Sequence, residues 1–221
     1  NSGKSTIATY LVEKYNFTRL SFAASVKDAA AVTFGWDRKK LEGITDEDRA
    51  WREAADPYWS AIQGGAFTPR NALQLIGNTM RTVFHPNIWC SKVVKTILDR
   101  ENALHAPVVI DDMRYCNERD ALEAIGATTF IVKTPGFPST EHQRVWDLGF
   151  TGNGIPGSSL HPSEWDWLRH HAIHELSTPV ILNDGDLPKL YKTIDSVYTT
   201  LLERERRNLS NQYTMKSSEA F

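Results

Sequence analysis

Cysteine is nearly absent. The 221 residues hold two, Cys90 and Cys116, and neither stands at metal-ligand spacing. There is therefore no disulfide framework, and the usage suits a reducing compartment. Cys116 reads as a small packing residue rather than a nucleophile. Long apolar runs are also lacking: none approaches the ~18 residues of a membrane span. Neither sign of charge is in excess. The net charge of −2 argues against a general nucleic-acid-binding surface while leaving room for a local basic site. No internal repeat is present, and no Ser-His-Asp constellation stands out.

What is present suffices for one large domain with insertions: 41% hydrophobic and 24% charged residues. The chain opens on Asn1-Ser2-Gly3-Lys4-Ser5-Thr6, which matches the second half of the phosphate-binding signature G-x-x-x-x-G-K-[ST]. Gly3 lets backbone approach phosphate oxygens because no Cβ intervenes. Lys4 would set a cation on the β- and γ-phosphates, and the Ser5 hydroxyl would ligate Mg²⁺. The helix that starts at Lys4 favours an anion through its N-terminal N–H groups and dipole. Ile7, Ala8, Leu11, Val12 and Tyr15 give that helix a core face. A surface Gly-Lys-Ser turn is the plainer reading of the hexapeptide taken alone.

The first glycine of the signature would fall five residues before Gly3, and the apolar strand that feeds such a loop would precede that. The expectation is a chain that begins inside a longer protein, its first, central strand missing. Each neighbouring ladder group left buried and unpaired would cost about 1–3 kcal/mol. The 221 residues expressed alone should then fold poorly and show no measurable ATP affinity.

Further along, Thr18 to Phe22 reads as a strand and Ala23 to Ala29 as a helix with Ser25 as its cap. Strand–helix alternation is the rhythm of a parallel sheet, whose strand ends collect ligands. That puts Ser21 to Lys27 near the opening loop. Residues 35–68 break the rhythm with charge and tryptophan (Trp36, Arg38, Arg49, Trp51, Arg52, Trp59). They read either as a mobile helical insertion over the site or as a solvated helix pair with its tryptophans packed inward. Thr68-Pro69 starts a well-signalled helix, on which Arg70, Gln74, Gly77 and Arg81 share one face. Two guanidiniums and an amide suit an anionic, hydrogen-bonding ligand, although polar faces commonly just meet water.

Val108-Val109-Ile110-Asp111-Asp112 is an apolar run ending in acids. It reads as a buried strand with a Walker-B-type carboxylate at its end, placed to hold Mg²⁺ or its water shell; strand-end turn chemistry is the alternative. Arg114 lies two residues on. Asn117 to Ile125 reads as helix with Asn117 as cap, and Thr128 to Val132 as strand. Residues 134–178, rich in glycine, proline and histidine, read as a closing lid rather than a metal site, with Arg144, His161 and Arg169 as phosphate contacts. Val180 to Leu182 is a last strand, followed by Asn183-Asp184-Gly185 and a helix to about Leu202. Residues 203–221 read as a frayed tail.

Taken in order, S-G-K-S-T, P-R-x-x-L-Q-x-x-G (Pro69 to Gly77), Trp89, D-x-R-x-x-N-E (Asp112 to Glu118), H-P-S-E (His161 to Glu164) and N-D-G-D-L (Asn183 to Leu187) resemble the deoxynucleoside monophosphate kinases of tailed bacteriophages, within the adenylate-kinase-like P-loop group. The resemblance implies a single α/β P-loop kinase domain, with a parallel sheet carrying helices on both faces, an acceptor-binding insertion at about 35–68 and a lid at about 134–178. It implies ATP as phosphate donor with Mg²⁺, a (deoxy)nucleoside monophosphate as acceptor, neither nucleic acid nor membrane as partner, and cytoplasmic residence, the host's if phage-encoded. A homodimer is one assembly it allows.

Residue by residue, the resemblance puts ATP on Ser2, Gly3, Lys4, Ser5 and Thr6, with Asn183, Asp184 and Gly185 near the adenine. The acceptor falls to Ser21, Phe22, Ala23, Lys27, Arg70, Gln74 and Arg81. Lys4, Arg70, Asp112 and Arg114 are the catalytic set, and Ser5 with Asp112 holds the metal. A P-loop kinase of another small acceptor, such as dephospho-coenzyme A, and a non-catalytic nucleotide-binding module are the rival readings.

Overall fold

A computed structural model describes residues 2–101, 106–136 and 178–218. The opening helix α1 (Lys4–Tyr15) follows Gly3 and ends at Asn16, which is left-handed like a helix-terminating glycine (φ 57°). Strand β1 (Thr18–Leu20) leads to α2 (Ala23–Phe34). A 3₁₀ turn (Lys40–Glu42), α3 (Asp46–Glu53) and α4 (Pro57–Gln63) form the next stretch. Then come α5 (Pro69–Val83), α6 (Ile88–Glu101), β2 (Val108–Ile110), α7 (Cys116–Glu123), β3 (Ile131–Lys133), β4 (Val180–Leu182) and α8 (Leu187–Ser218).

The strands pair in parallel, as the alternation of strand and helix predicts. Thr18 faces Val108 and Leu20 faces Ile110 in one pair; Ile131 faces Val180 and Lys133 faces Leu182 in the other. One continuous sheet is not what forms: the described residues make two separate two-stranded ladders. Each has its own core. Ile7, Ile181, Leu190 and Ile194 are buried together between α1, β4 and α8. Phe22, Cys90, Val93 and Leu122 are buried together where α6 and α7 cover β1 and β2. Each such side chain contributes roughly 1.5–3 kcal/mol on leaving water. Helix α1 touches β1, β2 and α8, so it links the two halves.

Local signals decide some helix ends and lose at others. For α5, the Thr68 hydroxyl accepts the Asn71 N–H at 3.1 Å and Asn71 Oδ1 accepts the Thr68 N–H at 3.2 Å, with Pro69 opening the helix. At α2 the expected Ser25 cap is not used. The helix starts at Ala23, two residues before Ser25, and is capped by a carboxylate that follows another strand, described below. Asn117 is likewise no cap. It lies inside α7, where its amide donates to Pro86 O at 3.2 Å and Asn87 Oδ1 at 2.8 Å. The last helix runs past Leu202 to Ser218, its Glu203–Arg207 stretch made of residues with high helix propensity.

Residues 35–68 fold around an aromatic cluster. The Trp36 ring stacks on Phe34 at 4.5 Å between centroids, and Trp59 meets Phe34 edge-on at 5.0 Å. The Trp36 indole N–H donates to Asp56 and that of Trp59 to the Phe34 carbonyl. The three tryptophans of this stretch are half-buried. Trp89, by contrast, is buried, its indole N–H donating to Gly77 O at 3.1 Å. No helix among the described residues is long and apolar enough to cross a membrane.

Candidate functional site

The ends of three strands and the starts of two helices meet. Gly3 precedes α1 at φ +92°, a left-handed conformation that side-chain-bearing residues rarely adopt. A Cβ there would also fall 2.5 Å from Asn183 Nδ2. That amide, just past β4, donates to Ser2 O at 3.0 Å. Asn183 therefore fixes the backbone ahead of α1, and only glycine fits between them. Ser2 Oγ in turn accepts from Lys4 Nζ at 2.9 Å. Asp184, beside it, pairs with Lys189 at 3.0 Å, which lowers its pKa.

Lys4 is exposed as a residue, yet its pKa is lowered. Desolvation by burial is the largest cause and repulsion from Arg114 the next, with the Asp111 carboxylate opposing both. Lys4 thus feels both charges that follow β2. Asp111 itself is held by Arg19, whose Nε and Nη2 donate to its two oxygens at 2.9 and 2.5 Å.

Asp112 does something the sequence does not show. Its Oδ2 accepts from Ser21 Oγ at 2.7 Å and from the Ala23 N–H at 3.0 Å, and its Oδ1 accepts from the Phe22 N–H at 3.1 Å. The carboxylate caps α2 from the neighbouring strand, a charge-assisted arrangement at a positive helix end. A carboxylate oxygen has about two acceptor sites. Oδ2 is saturated and Oδ1 retains one. That remaining site suits a magnesium ion or one of its waters. The Ser5 hydroxyl, on the exposed first turn of α1, suits direct contact.

The acceptor-side residues spread out. Arg70 is half-exposed and pairs with Glu53 of α3. Eleven residues along α5, at ~1.5 Å each, put Arg81 about 16 Å away. The Arg81 guanidinium turns to Glu118, at 3.2 Å, and lies 4.5 Å over the Tyr115 ring. The shared face predicted from spacing is thus divided between two neighbourhoods. Gln74 sits between, lining a shallow depression with Phe67, Asn71 and Asn78. Lys27 is bound by Glu42, which Arg38 also holds. Desolvation by burial is the largest single influence on Glu42 and raises its pKa, but the hydrogen bonds from Lys27 and Arg38 together outweigh it and the pKa is lowered. Arg144, His161 and Arg169 lie outside the described residues.

Arg52, which the sequence leaves among the charges of residues 35–68, has a distinctive setting. Its Nη1 donates to Glu42 O at 3.2 Å and Leu41 O at 3.4 Å. Gly43, at φ +66°, leaves the room that guanidinium occupies. Its Nε is buried with no hydrogen-bond partner among the described residues. Desolvation lowers the Arg52 pKa, and repulsion from Arg70 is the next cause. Two guanidiniums are thus near one another, with a buried donor to spare. Gly43 and the run of arginines were visible in the sequence; the fold-back of α3 that brings Arg52 onto Gly43 was not.

Fold and site together define an α/β protein in which strand ends and helix starts gather cations around a glycine-tightened loop. The sequence is 29% identical over 205 residues to a protein of Acanthamoeba polyphaga mimivirus bearing the name "Putative deoxynucleotide monophosphate kinase", an alignment covering 88% of this chain and 90% of that protein. No protein-family model matches the sequence.

Proposed function

We propose that this protein is a nucleotide kinase, and in particular that it transfers the γ-phosphate of ATP to a (deoxy)nucleoside monophosphate. The observation that carries the reading is the meeting of Gly3 and Lys4, at the start of α1, with Asn183 past β4 and the Asp111–Arg114 segment past β2. Strand ends facing helix N-termini are where parallel α/β proteins bind phosphorylated ligands. The name of the mimiviral relative supports the same chemistry, and the order of sequence motifs supports the monophosphate as acceptor.

In this reading Ser2 to Thr6 is the phosphate-binding loop. Its Lys4 ammonium neutralises charge on the β- and γ-phosphates as the P–O bond to ADP breaks and an acceptor phosphate oxygen bonds to phosphorus. That oxygen is ionised at pH 7, so no general base is needed, and the protein's work is positioning and charge stabilisation. Ser5 and Asp112 would hold magnesium, which would supply additional neutralisation of the phosphate oxygens. Arg114 faces the transferred group beside Lys4. The acceptor's phosphate goes to Arg70 and Arg52. The Arg70–Glu53 pair is a surface ion pair worth about 0–1 kcal/mol, readily exchanged for a phosphate dianion, and Arg52 Nε offers an unspent donor.

The test is steady-state ADP formation by the purified protein with Mg·ATP and a panel of ribo- and deoxyribonucleoside monophosphates, with dephospho-coenzyme A alongside. Turnover that depends on a monophosphate is expected. Turnover with dephospho-coenzyme A alone, or ATP binding without turnover, would replace this reading with one of its rivals.

A further inference from the structure

Glu118 carries its carboxyl group into the interior: its side chain is 3% exposed, and burial raises its pKa against the hydrogen bonds it accepts. A buried carboxylate is costly unless its oxygens find partners, and here each has at least one. One oxygen, Oε2, accepts the Arg114 N–H at 2.8 Å and the Tyr115 N–H at 3.1 Å. The other, Oε1, accepts from Arg81 Nη2 at 3.2 Å. Arg81 is further trapped by the Tyr115 ring beneath its guanidinium. Capping of α7 alone explains the first oxygen, since a glutamate three residues into a helix commonly reaches back to the preceding N–H groups. It explains neither the burial nor the second oxygen, which reaches a different helix 37 residues away. Asn117, next in the chain, anchors the same segment to the start of α6. The held segment includes Arg114, whose charge bears on Lys4.

We infer that Glu118 is a positioning residue: one carboxylate fixes the main chain under Arg114 with one oxygen and the guanidinium of Arg81 with the other, setting both cations relative to the site. This rests on the kinase reading for its kinetic consequence, but the clamp itself is testable without it. Misplacement of a contact by about 1 Å can cost on the order of 10²-fold in rate, so loss of the clamp should appear in turnover while the fold survives.

The experiment compares wild type, Glu118→Gln, Glu118→Asp and Arg81→Gln. Side-chain ¹H–¹⁵N spectra should show a resolved, slowly exchanging Arg81 guanidinium in wild type. That signal should be lost in Glu118→Gln and partly recovered in Glu118→Asp. With unchanged far-UV circular dichroism, Glu118→Gln should lower kcat by about tenfold or more and raise KM for the monophosphate, with KM for ATP within about twofold of wild type. Adding Arg81→Gln to it should raise the monophosphate KM no further. Should Glu118→Gln not fold, Arg81→Gln, which leaves the backbone bonds of the carboxylate intact, should still raise the monophosphate KM. A folded Glu118→Gln with both KM values and kcat within twofold of wild type overturns the proposal. So does a change confined to thermal stability, or a wild-type Arg81 signal no slower to exchange than an exposed arginine. Absence of any monophosphate turnover in wild type would instead sink the kinase reading and leave the Arg81 spectrum to decide the clamp.

Discussion

Lys4 stands between a guanidinium that repels it and a carboxylate that attracts it, which is how a side chain is kept near an anion's path without being neutralised by its own protein. Lys4→Ala should leave the fold intact and lower kcat/KM by about 10²–10³-fold, the usual cost of one preorganised charge contact. Steady-state kinetics beside a thermal melt check this; full activity would end the assignment of residues 2–6 to phosphate binding. Arg70→Ala should act on the other substrate. Charge-assisted hydrogen bonds contribute roughly 1.5–3 kcal/mol, so KM for the monophosphate should rise about tenfold or more while KM for ATP stays put. A rise for ATP alone would put Arg70 on the wrong side of the site.

Among elements, the junctions carry the most information. Asp112 joins β2 to the start of α2 through three hydrogen bonds. Asp112→Asn removes the charge and turns an amide NH₂ toward groups that are themselves donors. Stability should fall by about 1–3 kcal/mol, read from urea unfolding, with any catalytic loss additional to it. The junction of α1 with α8 centres on Asp195, which accepts from Lys14, Tyr10 and Tyr15 at 2.7–2.8 Å while Tyr10 stacks on Tyr191 at 4.0 Å. The hydrogen bond from Lys14, followed by that from Tyr15, lowers the Asp195 pKa to about 2. A carboxylate depressed in the folded state contributes stability above its unfolded pKa and loses it as pH falls through the folded one. The contribution of Asp195 should thus fade between about pH 4 and pH 2. Carboxyl ¹³C titration should place its midpoint near the lower figure, and a midpoint near 4 would mean the junction does not form in solution.

These junctions also mark where the sequence stops being legible. The Thr68-Pro69 start of α5 was readable because every group it uses lies within four residues. Ser25 and Asn117 were read as caps by the same local rule, and the rule lost at both. A carboxylate 89 residues from Ala23 outcompeted the first, and contacts to the 86–87 turn drew the second into a helix. The Arg70–Arg81 face was readable as a spacing, but not its division, because Glu53 and Glu118 come from other elements. Gly3 and Asn183 were both marked as site residues, while the dependence of one on the other needs coordinates.

At the scale of the whole molecule, two strand pairs with separate cores are coupled through α1. The candidate nucleotide loop is the first turn of that coupling helix. Ligand bound there touches the element both halves share, so in protein carrying the whole phosphate-binding signature Mg·ATP should raise the unfolding midpoint of the molecule as one transition, by mass action; the same shift in the 221 residues alone would overturn the expectation that they fold poorly without the preceding strand. Differential scanning calorimetry with and without Mg·ATP checks this; two transitions, only one of which responds, would mean that α1 does not couple the halves.

The aromatic cluster of residues 34–67 has an optical consequence. Trp36 and Trp51 meet edge-to-face at 6.1 Å, and Phe34 lies against both Trp36 and Trp59. Indoles locked this close in asymmetric surroundings mix their excited states, so this stretch carries its own signature in the near-ultraviolet circular dichroism, apart from the backbone signal. Three of the seven tryptophans, Trp36, Trp51 and Trp59, lie in it, on the same stretch of chain as Arg52. Any shift of that stretch on meeting a nucleotide will therefore change the near-ultraviolet absorption and ellipticity of the protein itself, with no label attached.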